Sequence, residues 1–383
     1  MGMRTADTII VGGGVNGVAT AYNLARLGMT NVVVLEKSYP GCGASGRCGG
    51  GIRQQWGLAE NIILARESVR KFENLSAELG FNVFFRQGGY LMLVYDEREH
   101  ALVNKTIPLH NSLDVPTRFL DPQDVAELVP GLNLDGVIGA AFCPTDGTAY
   151  PYAVLWGYAE AARKLGATIY NYAEVRRVAQ RPDGVFQVDT KDASFEAPCL
   201  VNVAGARTKD IAAQLGVDIP THPFRHEIAV TEPLISFLEP MVISPKKGFY
   251  FSQSMRGEVV GGIGGDDDEA SSHTTKSSPA FLFKYAAALR EVFPGLGSAR
   301  IIRQWAGSYD MSPDHRPIVG CVNGIGGYYH ACGFSGHGFM LSPVISQLLA
   351  ELVTGAAPSL PIDDLNLDRF ESSGLTHDPY VVG

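Results

Sequence analysis

The sequence predicts an α/β fold, α+β overall, in which a parallel-sheet domain is interrupted by an inserted antiparallel-sheet domain. Three observations predict it. The first is a strand, turn, helix and strand in succession: Thr8-Ile9-Ile10-Val11, then Gly12-Gly13-Gly14-Val15-Asn16-Gly17, a helix-like stretch, and Val32-Val33-Val34-Leu35-Glu36. The second is a buried-strand signal at Cys199-Leu200-Val201-Asn202-Val203 that ends in Ala204-Gly205-Ala206. It is echoed by Gly327 to Cys332 running into Gly333-Phe334-Ser335-Gly336-His337-Gly338-Phe339. The third is the stretch 222–263, where strand and turn signals alternate as in an antiparallel sheet.

In the first unit Gly12 permits a tight turn, Gly14 lets the backbone approach a pyrophosphate, and Gly17 lets the helix pack on the sheet. A pyrophosphate would sit over free N–H groups at the helix start, where the dipole favours negative charge. Glu36 follows the motif by about 20 residues, the place for an acid that hydrogen-bonds a ribose hydroxyl. The unit is therefore Rossmann-like. Ala59 to Leu79 carries Ile62, Ile63, Ala65, Val69, Phe72 and Leu75 at helical spacing. Gly89 to Tyr95 reads as a strand, and Pro122 to Leu128 as a short helix started by Asp121. Tyr152 to Leu165 is a longer helix. The short strands Thr168–Tyr172 and Val185–Asp189 are expected to form a hairpin, and a last helix runs from Ser342 to Leu352. The Rossmann-like domain is thus discontinuous, comprising 1–85, 146–220 and 300–383. The substrate-binding domain comprises 86–145 and 221–299.

Bulk properties narrow the function. A chain of 383 residues exceeds the size of a single core, so two domains are expected. Its 44 glycines cluster rather than repeat, which favours backbone-lined ligand loops over a fibre. A formal charge of −9 without a basic stripe disfavours nucleic acid. The six cysteines contain no CxxC pair, so neither a zinc nor an iron–sulfur site is expected, and the metal inventory is none. Asp266-Asp267-Asp268-Glu269 lacks the spacing of a calcium loop and reads as a solvated turn. No signal peptide and no run of about 18 apolar residues is seen. The expected compartment is the cytoplasm, with peripheral membrane contact only through a partner.

Taken together, the motifs resemble the FAD-dependent amine oxidoreductases of the D-amino-acid oxidase superfamily. Within it they are similar to the β subunits of heterotetrameric sarcosine oxidases and of dye-linked L-proline dehydrogenases. The likeness rests on GGGVNG at 12–17, on Ala44 through Gln55, and on Pro144-Thr145-Asp146-Gly147. It continues through the 204–206 turn, Ser312-Pro313-Asp314 with Pro317-Ile318-Val319-Gly320, and GFSGHGF at 333–339. The resemblance implies FAD as cofactor, with Gly12, Gly14, Val15, Asn16 and Gly17 at the pyrophosphate and Glu36 and Lys37 at the adenosine ribose. Ser45, Arg47, Gly50, Gly51 and Ile52 would wrap the pyrophosphate and flavin edge. Val175, Ala204 and Gly205 would add contacts, and Gly333, Gly336, His337, Gly338 and Phe339 would close over the flavin. The FAD is expected to be non-covalent. Gly307 stands where monomeric sarcosine oxidases tether it through a cysteine, and Pro151 where the heterotetrameric β subunits tether an FMN through a histidine. An FMN at a subunit interface, held without a covalent bond, remains open.

The same resemblance points to four catalytic candidates. Arg53 would meet a substrate carboxylate with its planar fork; its alternative is a structural arginine on a carbonyl or phosphate. His226 and Tyr250 match a substrate-contacting pair of the proline dehydrogenases, although His226 also suits an ordinary strand histidine. Tyr309 would face the flavin, or pack beside Trp305. Met340 replaces the relatives' helper lysine. The stretch 261–265 has no lysine to assist oxygen, which favours a dehydrogenase. The implied protein is the catalytic β subunit of a multi-subunit dehydrogenase for a small secondary amino acid, with L-proline first, then sarcosine and hydroxyproline. Its partners would be subunits carrying further redox centres. A stand-alone oxidase releasing peroxide and a non-catalytic flavin relay are the alternatives.

Overall fold

A six-stranded sheet has the order Ile318–Val322, Ile325–Cys332, Cys199–Asn202, Thr8–Val11, Val32–Leu35 and Thr168–Tyr170. All neighbours are parallel except the first pair. The computed structural model describes residues 3–264, 273–371, 375–378 and 380, so Gly265 and the acidic run Asp266 to Glu269 lie outside the described residues.

Both faces of this sheet are covered, which is why its strands read as unbroken apolar runs. Ile10, Val34 and Val201 point to one face, where they join a core with residues of the helices Val15–Arg26, Ala59–Leu79, Pro151–Lys164 and Ser342–Thr354. Ile9, Val11, Val33, Leu35 and Leu200 point to the other, against Phe186, Val188 and Phe195 of a small four-stranded sheet. The alternation is the period-2 geometry of a strand acting on an all-apolar sequence. The Ala59–Leu79 helix has the predicted bounds. Its apolar stripe is buried at Ile62, Ala65, Val69, Phe72 and Leu75, and it ends on Gly80 in the left-handed region.

The second sheet has eight strands, in the order Ile301–Met311, His222–Pro233, Glu258–Ile263, Phe249–Gln253, Met241–Ser244, Tyr90–Val94, Gly139–Cys143 and Arg118–Leu120. It is antiparallel except where Met241–Ser244 runs parallel to Tyr90–Val94, so the expected all-antiparallel sheet is mixed. The helix Pro279–Val292, which the sequence reading did not mark, buries Phe281, Tyr285, Leu289 and Val292 on it. Ser278 caps its start by accepting from Phe281 N.

One expectation is corrected. Thr168–Tyr170 is the edge strand of the parallel sheet, paired with Val33 to Leu35. The true hairpin joins Arg177–Gln180 to Phe186–Asp189, because the intervening turn at 181–185 is the shorter loop to close. Ile301–Met311, expected with the Rossmann-like residues, pairs along almost the whole of His222–Pro233. We therefore propose that the substrate domain extends to Met311.

Candidate active site

The site begins at the N-terminal glycines. Gly12 has φ +112°, and a Cβ on it would lie 2.5 Å from the Val203 carbonyl oxygen. The helix Val15–Arg26 starts at Gly14 with no side-chain cap and no acid in its first turn, so its positive end is open to an anion. Ser45 Oγ accepts from Val15 N at 3.0 Å. Glu36 is buried at the end of its strand, with Oε2 accepting from Gly13 N at 2.7 Å and Oε1 from Ser38 N at 2.9 Å. Asn16 Nδ2 donates to the Gly338 carbonyl at 3.2 Å and joins the first glycine loop to the last, while its buried Oδ1 has no partner.

These groups line a cavity of about 360 Å³. Of the expected cofactor residues, Gly12, Gly14, Val15, Asn16, Glu36, Lys37, Ser45, Arg47, Val175, Ala204, Gly205, Gly336, Gly338 and Phe339 are on its wall. Gly50, Gly51 and His337 line a smaller chamber of about 70 Å³ that shares Cys48, Tyr309, Gly336 and Phe339 with the first. Gly17, Ile52 and Gly333 line neither. Gly17 lies behind the loop, where a Cβ would strike the Gly12 carbonyl. Ile52 pairs with Gly147 in a two-stranded ribbon, and a Cβ on Gly333 would meet Ile318 and Ser312.

The chamber also receives Arg53, Tyr250 and Tyr309. Arg53 is buried, with Nη1 donating to Gln55 O at 3.1 Å and Nη2 to Tyr380 O at 2.8 Å. Its guanidinium lies 4.2 Å from the Trp56 ring centroid. Burial lowers its pKa, opposed by the nearby carboxyl groups of Asp378 and Asp146. Asp146 itself accepts from Gln54 N and from the side chains of Gln54 and Gln55, and burial pushes it up to about 6. Two of the five guanidinium donors are thus spent on carbonyls, which orient the fork without neutralising it.

His226 differs from its expected position. It lines neither cavity and lies between Tyr250 and Tyr309, with ring planes 15° and 12° from theirs. Its Nε2 is 2.9 Å from Tyr250 Oη. Burial lowers its pKa to about 4, so the ring is neutral near pH 7. Burial likewise raises the pKa values of Tyr250 and Tyr309, which keeps both phenols protonated. His226 therefore meets the chamber through two of its wall residues, stacking on both Tyr250 and Tyr309 and hydrogen-bonded to Tyr250. Gly262 is obligatory beneath this pair, because a Cβ there would come within 2.8 Å of His226 Nε2 and 2.9 Å of Tyr250 Oη.

Residues missed by sequence reasoning include Tyr90, Met241 and Ile243 on the chamber wall and Asp310 and Arg207 on the larger cavity. The Gly89 to Tyr95 strand was marked, but which of its faces meets the site depends on its pairing with Met241–Ser244, a partner remote in sequence. Among the described residues no lysine lines the chamber, and Met340 puts a thioether there.

The family model described as DAO, FAD dependent oxidoreductase, matches residues 7–352. The chain belongs to this family. It is an FAD-dependent oxidoreductase. It is similar to the sarcosine oxidase subunit beta of Rhodobacter capsulatus, 31% identical over 98% of this chain and 91% of that one. Among solved structures it is similar to L-proline dehydrogenase from P. horikoshii, with 34% identity, a TM-score of 0.91, and coverage of 96% and 98% of the two chains. Glycine oxidase from Geobacillus kaustophilus shares the fold, with a TM-score of 0.89 at 24% identity and coverage of 96% and 99%. The residues present fit FAD. The uncapped helix start suits its pyrophosphate, Glu36 its ribose, and the glycine walls at 49–51 and 336–338 a flat ring. Among the described residues no helix is long and apolar enough to cross a membrane.

Proposed function

We propose that this chain oxidises a small secondary amino acid to its imine, as the catalytic β subunit of a multi-subunit dehydrogenase. L-Proline is the first candidate, then sarcosine and hydroxyproline. The observation that carries this reading is the placement of Arg53, Tyr250 and Tyr309 on a small chamber that shares a wall with the cofactor cavity. FAD, when bound, supplies the acceptor for a hydride from the carbon beside the substrate nitrogen. Arg53 offers three remaining N–H donors to the substrate carboxylate, in a dry setting where a charge-assisted pair is strong. Tyr250, its hydroxyl held by neutral His226, and Tyr309 form an apolar wall with polar tips that fits a small ring or methylamine.

The likeness to a sarcosine oxidase subunit beta and to an L-proline dehydrogenase supports both the substrate class and the subunit role. The lysine-free chamber supports electron transfer to a partner rather than to oxygen. An interfacial FMN in that partner complex would be non-covalent, since Pro151 opens the helix Pro151–Lys164 and has no nucleophile. Anaerobic titration of the FAD-loaded chain with a panel of amino acids tests the reading. L-Proline or another secondary amino acid should bleach the flavin within one turnover. Bleaching by primary amino acids alone would reject the substrate class, and no bleaching by any of them would reject catalysis by this subunit.

A further inference from the structure

We propose that Asp378 and Tyr380 form the positioning element for Arg53, fixing from the far end of the chain the direction in which its guanidinium meets a substrate carboxylate. This rests on Arg53 being the carboxylate anchor. Of the three groups that hold the Arg53 head, Gln55 O and the Trp56 ring are its near neighbours in sequence and travel with it. The third, Tyr380 O, comes from 327 residues away and supplies the only fixed outside reference among these contacts. A guanidinium held by neighbours alone can swing with its own loop. One held by a remote carbonyl cannot.

The remote carbonyl is itself tied down by Asp378. Its Oδ1 accepts from Tyr380 N at 2.9 Å and from Gly57 N at 3.0 Å. Its Oδ2 accepts from Gly57 N at 3.0 Å, Leu58 N at 3.1 Å and Asn61 Nδ2 at 2.9 Å. The Ala59–Leu79 helix has Leu58 at its N-cap, a residue with no capping atom, and this buried carboxylate accepts from the Leu58 N–H and from the Asn61 side chain in the first turn, so it lies at the positive end of the dipole. Tyr380 Oη is 2.7 Å from Thr106 Oγ1. His110 Nε2 is 2.7 Å from the Trp56 carbonyl. Among the described residues no carboxylate pairs directly with Arg53, so the clamp orients the charge and leaves it for an anion.

The test uses the full chain loaded with FAD and follows the flavin absorption spectrum during titration with acetate and, separately, with acetamide at constant ionic strength. Acetate carries the charge that Arg53 reads, and acetamide has the same shape without it. Asp378→Ala should weaken acetate at least tenfold while acetamide binding and FAD retention stay within twofold. Asp378→Asn, which keeps one acceptor and folds more readily, should weaken acetate about threefold and decides the matter if the alanine variant does not fold. Arg53→Ala is the reference and should abolish the preference for acetate. If Arg53→Ala binds both probes as the unaltered chain does, Arg53 is not the anchor. If Arg53→Ala loses the preference but both Asp378 variants keep it, the positioning role is overturned. Equal weakening of both probes in the Asp378 variants also overturns it, since that would be general loosening.

Discussion

Replacing Gly17 by alanine offers a sharp test of how the cofactor loop is built. In glycine-rich dinucleotide motifs generally, the third glycine can give way to alanine. Here it should not. A Cβ on Gly17 would lie 1.9 Å from the Gly12 carbonyl oxygen, 3.1 Å from its carbon and 3.3 Å from Val203 Cγ2. Real Cβ atoms keep about 3.0 Å or more, so helix and loop must separate by about 1 Å. The helix cannot retreat, because Val18, Ala21 and Leu24 on Val15–Arg26 are fully buried in the helical layer. The loop must yield instead, and it carries the N–H groups offered to the pyrophosphate. Overpacking at the upper end of its usual range costs about 3 kcal/mol, which corresponds to about a hundredfold in FAD affinity if the strain is relieved by distorting the loop. The same strain expressed as stability is a fall in Tm of about 4 °C for a chain of this length. Fluorescence titration of the apoprotein with FAD measures the first, and calorimetry the second. Gly326→Ala is the control, since nothing lies within 4 Å of a Cβ there and its φ is not left-handed. A Gly17→Ala protein that purifies with full flavin and an unchanged Tm would refute the packing argument.

Acid precipitation should leave the flavin in the supernatant, because Gly307 and Pro151 present no nucleophile at the two tethering positions; a yellow pellet would contradict this. His226 is held neutral by burial, with its pKa lowered from 6.5 to about 4. The stability this contributes is present above pH 6.5 and is lost as pH falls towards 4, by roughly 3 kcal/mol in total. Melting curves from pH 7 to 4 should therefore turn against the unaltered chain relative to His226→Phe, and a constant gap between the two would disprove the buried neutral ring. Dithionite-reduced enzyme should reoxidise slowly in air and quickly with an artificial dye, given the lysine-free chamber. Stopped-flow reoxidation by oxygen at the rate of turnover would move the enzyme to the oxidases.

Much of the parallel-sheet domain was legible because its signals are local. Gly12, Gly14 and Gly17 each report a steric fact about the turn they make, and Glu36 follows in register at the end of the next strand. The Ala59–Leu79 helix could be read to the residue because an apolar stripe and a terminal glycine bracket it. The antiparallel region was legible as strands but not as a sheet. Nothing in Met241–Ser244 says that it pairs in parallel with Tyr90–Val94, 151 residues earlier, and that pairing puts Tyr90 and Met241 on the chamber. His226 was found by resemblance, yet its place behind Tyr250 follows from the register of Glu258–Ile263 between His222–Pro233 and Phe249–Gln253, which the sequence does not carry. Helix Glu97–Ser112 escaped for a different reason. Its polar composition and internal Pro108 weaken both the periodic and the propensity signals.

The hydrogen bond from Asn16 to Gly338 spans 322 residues. On a ribosome adding about 5–20 residues per second, the first glycine loop waits on the order of 16–64 s before its counterpart has been made. The strand before it, Thr8–Val11, meets Val32–Leu35 early, but its neighbour on the other side, Cys199–Asn202, starts 191 residues further along the chain. The pocket thus closes only after Gly338 has been made, and flavin capture follows that point of synthesis. Cells making this protein faster than they make flavin should accumulate a colourless polypeptide with its nucleotide loop open.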